Sequence, residues 1–326
     1  MKVVYEEKVK KMIQHYEDMR KLFKWENDMV RHLVALTYAM KGKELDPTPI
    51  KEMNDYIKRQ TGVFSPFRGH MMFALSGLLC ANSQTPKKQF EYMLNNEKIL
   101  KSIGFKHSTY LPTALYALSS VYEGDDVAGY AEKAMGIYKE MKQNHPFLTS
   151  GDDYALAILL AGTDHSPDLL EDYYQALNGR GFTKSNGLQM LSHIMAFSEK
   201  NVRDSVDQCE RVYNHLKANK LKIYSAYYPA IGLICLLDVD QDKLIDDLVE
   251  VAIYLKGQKK YKWLGKGMNL LMASAIITSE YIKEKSGDMV VDTTVSISIQ
   301  AIIAAQQAAM IAAITASTAA STSAAT

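Results

Sequence analysis

The stretch richest in side chains able to do chemistry is His145-Pro146-Phe147-Leu148-Thr149-Ser150-Gly151-Asp152-Asp153-Tyr154. An imidazole, two adjacent carboxylates and a phenol could bind a small ligand or share acid–base work. His107 stands at the start of an earlier apolar helix and could converge with them if successive helices stack. A structural role competes with this reading. Thr149-x-x-Asp152 and Ser150-x-x-Asp153 are overlapping capping-box patterns, and aspartates at a helix start oppose the macrodipole favourably. Adjacent aspartates on a helix also diverge by about 100°, which disfavours joint chelation of one ion. Capping is therefore the expected role, and His107, His145, Asp152, Asp153 and Tyr154 remain the candidate ligand-binding set.

Other chemistry finds little support. The eight histidines lack the i,i+4 or short-loop spacing of a zinc site, although His70, His107 and His145 recur near the starts of successive helices. There is no nucleophile elbow, phosphate loop or dinucleotide fingerprint. Gly265-Lys266-Gly267 reads as a helix-start turn, and Asp238-Val239-Asp240-Gln241-Asp242 lacks the glycine and glutamate of a calcium loop. Cys80, Cys209 and Cys235 have neither metal-type nor redox-type spacing. No catalytic residue, metal or cofactor is expected. Paired tyrosines such as Tyr173-Tyr174 and Tyr227-Tyr228 fall at spacings that suit packing between layers.

The elements that must position these residues are helices. With 8 prolines and 18 glycines in 326 residues, long stretches can stay helical. Residues 5–22, 29–40 and 50–59 read as three opening helices, and then one pattern recurs. A large apolar residue precedes each apolar helix: Phe23, Phe64, Phe105, Phe147, Phe182, Ile223 and Trp263, at strides of 41, 41, 42, 35, 41 and 40 residues. A more polar helix follows each one. A helix pair every forty residues or so is the signature of an α-helical repeat array, in which neighbouring pairs bury what one pair cannot. The expected fold is all-α: about seven two-helix repeats stacked as a right-handed α-α superhelix, or solenoid, over residues 1–292. The aromatic before each cap is expected to fold onto the first turn as a hydrophobic staple.

Residues 293–326 carry no charge and are rich in alanine. Ala301, Ala305, Ala308, Ala312 and Ala316 form a seam of small residues suited to close helix packing, against the repeats or against a second copy. Residues 293–318 could instead meet a membrane. Gln300, Gln306, Gln307 and the lack of a basic flank argue against a span there.

The motif His145-Pro146-Phe147-Leu148-Thr149-Ser150 with Asp152-Asp153-Tyr154 resembles a signature of an uncharacterised family from Gram-positive bacteria. Gly104-Phe105-Lys106, Ser108-Thr109-Tyr110-Leu111 and Ala308-Ala309-Met310-Ile311-Ala312-Ala313 look like the same family, the domain-of-unknown-function family numbered four thousand and three. The resemblance spans nearly the full chain and implies that the tail belongs to the fold. It implies no activity.

A formal charge of +1, from 38 basic and 37 acidic residues, gives no electrostatic reason to expect nucleic acid or a strongly anionic surface. Few cysteines and no apolar leader at the N-terminus suggest a cytoplasmic protein. The function expected is a non-catalytic scaffold for a peptide or protein partner. The rivals are an enzyme or small-molecule binder near His145, Asp152 and Asp153, and a membrane-associated protein.

Overall fold

The structure is a computed structural model describing residues 1–163, 167–198, 200–221, 223–237 and 241–287. The alanine-rich segment 293–326, with the packing and membrane roles weighed for it, lies outside the described residues. Among the described residues there are fourteen α-helices and no strand. They fall into two compact units: residues 10–143 with 149–162, and residues 1–9, 144–148 and 163–287.

The first unit holds most of α1 (Val3–Leu22), then α2 (Asp28–Lys41), α3 (Pro47–Gln60), α4 (His70–Asn82), α5 (Pro86–Ile103), α6 (Leu111–Val121), α7 (Val127–Asn144) and α8 (Tyr154–Ala161). The even-numbered helices are inner ones. Every residue of α8 is buried, as is α2 from Val30 to Ala39. The odd-numbered helices show one face, as α3 does with only Ile50, Met53 and Ile57 buried, at spacings of three and four. Next-but-one helices pack, α2 on α4 and α6 on α8, while α5 lies against α3, α4 and α6. Helix ends follow local chemistry. Asn27 accepts from Met29 N at 2.9 Å to start α2, and Gly42 ends it at φ 64°, where only glycine is unstrained.

The second unit repeats this alternation in α9 (Pro167–Gly179), α10 (Asn186–Met195), α11 (Val202–Ala218), α12 (Pro229–Cys235), α13 (Gln241–Gly257) and α14 (Gly265–Gly287). All seven residues of α12 are buried, and α12 packs on α10 and α14. The outer helices α9, α11 and α13 pack in succession. A Cβ on Gly187 would lie 1.8 Å from the Ser225 carbonyl oxygen, and one on Gly267 would lie 2.0 Å from the Tyr227 ring. Glycine at these two places lets α10 and α14 close on the 3-10 turn Ser225–Tyr227. The Gly265-Lys266-Gly267 segment starts α14, as the sequence suggests.

The staple expectation needs correction. Phe23, Phe105, Phe182 and Ile223 are buried, but Phe64, Phe147 and Trp263 are 95%, 98% and 84% exposed. In each exception a neighbour takes the inward place. Phe67 is fully buried with its ring edge-on to Phe90 at 5.3 Å, His145 packs on Tyr174, and Tyr261 is fully buried. A loop offers one inward slot, and backbone direction decides which residue fills it.

Candidate functional site

In the first unit the 3-10 turn Gly151–Asp153 leads into α8. Ser150 N donates to Asp153 Oδ2 at 2.9 Å, the Ser150 hydroxyl donates to Asp152, and Asp153 N returns to Ser150 O at 3.1 Å. Thr149 is buried and donates its hydroxyl to the Met141 carbonyl at the end of α7, where Lys142 Nζ also meets Thr149 O at 2.6 Å. Of the two overlapping boxes, the Ser150–Asp153 pair supplies the cap, and Thr149 ties the loop to α7.

Capping leaves Asp153 almost wholly out of water. Burial, then the neighbouring Asp152 carboxylate, push its pKa up to about 7, against the pull of the Ser150 amide and Lys142. Tyr154 lies between Phe105 and Tyr138, with ring centroids at 4.9 and 4.7 Å, and its hydroxyl oxygen accepts from Lys106 N at 3.3 Å. His107, next along from that amide, is half exposed and stands 3.8 Å from Glu97 Oε1 on α5. The first unit thus buries Asp153 and Tyr154 at the start of α8, with the Asp153 carboxylate bonded to the loop and the Tyr154 hydroxyl to Lys106 N, while Asp152 stays partly exposed.

His145 belongs to the second unit. Its Nε2 lies 2.8 Å from Glu171 Oε2 on α9, and its ring packs on Tyr174, with centroids 4.1 Å apart and the planes tilted by 41°. Beneath it on α10 lies His193, wholly buried and with no hydrogen-bond partner at Nδ1. Burial, then the charge of His145, push the His193 pKa down to about 3, so its ring is neutral at ordinary pH. Sequence reading missed His193 and Glu171 because nothing in their spacing points to His145. The recurring histidines share one arrangement: His70 stands 3.7 Å from Glu26, as His107 and His145 stand by Glu97 and Glu171. The pair at His70 stands at the start of α4 and that at His107 just before α6, whereas His145 and Glu171 pair within the second unit.

The fold also joins Cys209 and Cys235, which the sequence separates by 26 positions; they are free thiols in hydrogen-bond contact between α11 and α12. That contact, then burial, raises the Cys209 thiol pKa well above its ordinary value, which keeps it protonated and unreactive. Among the described residues no group of His, Cys, Asp and Glu is arranged to hold a metal ion, and no helix is long and apolar enough to cross a membrane. An open cavity of about 300 Å³ in the first unit is lined by Pro49, Met53, Cys80 and Pro86, none of them a candidate residue.

Fold and site together define an all-helical protein whose conspicuous acids and histidines are engaged in a helix cap and in side-chain pairs. The family model described as "Protein of unknown function (DUF4003)" matches residues 15–308, and the chain belongs to that family. It is similar to the "Uncharacterized protein YeaA" of Bacillus subtilis (strain 168), with 30% identity over 287 residues, covering 85% of this chain and 86% of that protein. No solved structure matches.

Proposed function

We propose that the chain is a non-catalytic, cytoplasmic scaffold built of two-helix repeats in a right-handed α-α superhelix, which binds a peptide, a protein or a second copy of itself. The observation that carries this reading is the alternation of wholly buried and one-faced helices, with next-but-one packing of α10, α12 and α14 inside and α9, α11 and α13 outside. That is how stacked helix pairs bury what a single pair leaves open, and such stacks offer extended binding surfaces. The use of Asp152 and Asp153 in capping supports a non-catalytic role. The test is affinity capture with the full chain, followed by cross-linking and light scattering. A stoichiometric partner or a defined oligomer supports the reading. Recovery of neither, together with a small molecule that raises the melting temperature and is turned over, overturns it.

One observation favours a second reading, an enzyme or small-molecule binder. Asp153 ionises near neutral pH, as a general base does, beside the phenols of Tyr110 and Tyr138. A ligand whose affinity falls in Asp153→Asn with the fold intact would select it.

A further inference from the structure

The near-zero net charge conceals a segregated surface in the second unit. From Val251 to Ser279 there is no aspartate or glutamate, yet Lys256, Lys259, Lys260, Lys262 and Lys266 fall within eleven residues. Lys256, in the last turn of α13, sits where the macrodipole favours a cation. Lys259, Lys260 and Lys262 lie beyond the helix, where that explanation ends. The loop carrying them is firmly built. Tyr261 is fully buried and its carbonyl accepts from Asn269 Nδ2 at 3.0 Å, while Lys262 N donates to Gln258 O at 2.9 Å. With Tyr261 anchored inward, Trp263 is held outward at 84% exposure, with Lys262 Nζ 5.7 Å from its ring centroid.

The neighbouring loop has the same character. The turn Ser225–Tyr227 packs on α14, and the 3-10 turn Lys262–Leu264 borders α14 and α13, so the two loops meet the same helix. From Arg211 to Leu237 there is again no acid, and the last turn of α11 and the loop after it present Lys217, Lys220 and a 57% exposed Tyr224. Among the described residues none of Lys217, Lys220, Lys256, Lys259, Lys260 and Lys262 is in an ion pair. The acids on α13 nearest the loop in sequence, Asp247 and Glu250, are taken by Lys2 and the N-terminal amine.

We infer that this lysine-rich, aromatic-tipped end of the second unit docks on the headgroups of an anionic lipid bilayer, with Trp263 seated at the interface. Charge complementarity identifies the class of partner: clustered lysines act additively on a negative lipid surface, each worth about fivefold in binding. Tryptophan prefers the headgroup level, where its apolar body and N–H are both satisfied. No arginine follows Arg211, so the planar fork that suits nucleic-acid phosphates and guanine is lacking, and lysine point charges suit a fluid layer of headgroups. Such docking is peripheral and reversible.

The test is co-sedimentation of the full chain with vesicles of phosphatidylcholine alone or mixed equally with phosphatidylglycerol. Trp25→Phe leaves Trp263 as the single tryptophan, excited selectively above the tyrosine band. Binding and a blue shift with the anionic vesicles only, both lost in high salt, are the expected results. The Lys259→Ala/Lys260→Ala/Lys262→Ala variant should bind about a hundredfold more weakly, and Trp263→Ala several-fold more weakly, with unchanged helical circular dichroism. The salt titration on the unaltered chain decides even if the triple variant misfolds. Equal binding to both vesicle types, no binding to either, or preferential capture of duplex DNA or an acidic peptide overturns the inference.

Discussion

Asp153 in the first unit and His193 in the second are both buried titratable groups whose burial favours the neutral form, yet the shifts act on the pH dependence of stability in opposite directions. Asp153 has its ordinary value of 3.8 raised to about 7, whereas His193 has 6.5 lowered to about 3. The native state holds the aspartate's proton more tightly than the unfolded chain does, so Asp153 gives stability that is lost as pH rises from about 4 to 7. The native state refuses the histidine's proton, so His193 gives stability that is lost as pH falls from about 6.5 to 3. Between about pH 4 and 6.5 the two slopes oppose each other. The same desolvation, applied to an acid and a base, flattens the pH profile of a chain that contains both.

The largest expected effect comes from removing the histidine's side of this balance. His193→Gln abolishes an acid-limb loss on the order of 5 kcal/mol, given about 1.4 kcal/mol per pKa unit, and leaves the Asp153 slope exposed. Urea melts from pH 3 to 8 should then show stability falling toward neutral pH. An unchanged acid limb would show that His193 is not the buried neutral group. Asp153→Asn acts the other way. It keeps an acceptor for Ser150 N and should gain on the order of 4 kcal/mol at pH 8, with no gain at pH 4. Equal melts of this variant and the unaltered chain at pH 8 would break the comparison.

Smaller effects sharpen it. His145→Gln removes the partner of Glu171 and the charge that presses on His193. It should cost about 1 kcal/mol or less and move the His193 titration upward, read by NMR of the ring protons. Ser150→Ala removes the hydroxyl bond to Asp152 while the backbone amide still holds Asp153. It should cost about 0.5–1 kcal/mol and leave the Asp153 pH slope intact. Loss of that slope would assign the Asp153 environment to the serine hydroxyl and not to burial.

Much of the fold is legible in the order of the residues. The apolar runs around Met71, Ala114, Ala155, Leu188 and Ile231 are the buried helices α4, α6, α8, α10 and α12, because a continuous apolar run can be satisfied only by contact all round. The Ser150–Asp153 cap is legible from three-residue spacing, since a cap is a local object. The same local reading misjudges Phe64, Phe147 and Trp263. A staple needs the chain to enter its helix at one angle, and that angle is set by neighbouring helices.

By itself the sequence determined the helices, their alternation of buried and one-faced character, and the caps that start them. These depend on side chains three or four residues apart, which every fold of the chain would keep. Tertiary structure alone decided that Asp153 titrates near neutral pH, that His193 is buried beside His145, that Cys209 meets Cys235, and that Tyr261 turns inward so that Trp263 turns out. Desolvation and long-range pairing have no period along a chain. They arise where residues separated by dozens of positions are packed together and water is excluded between them.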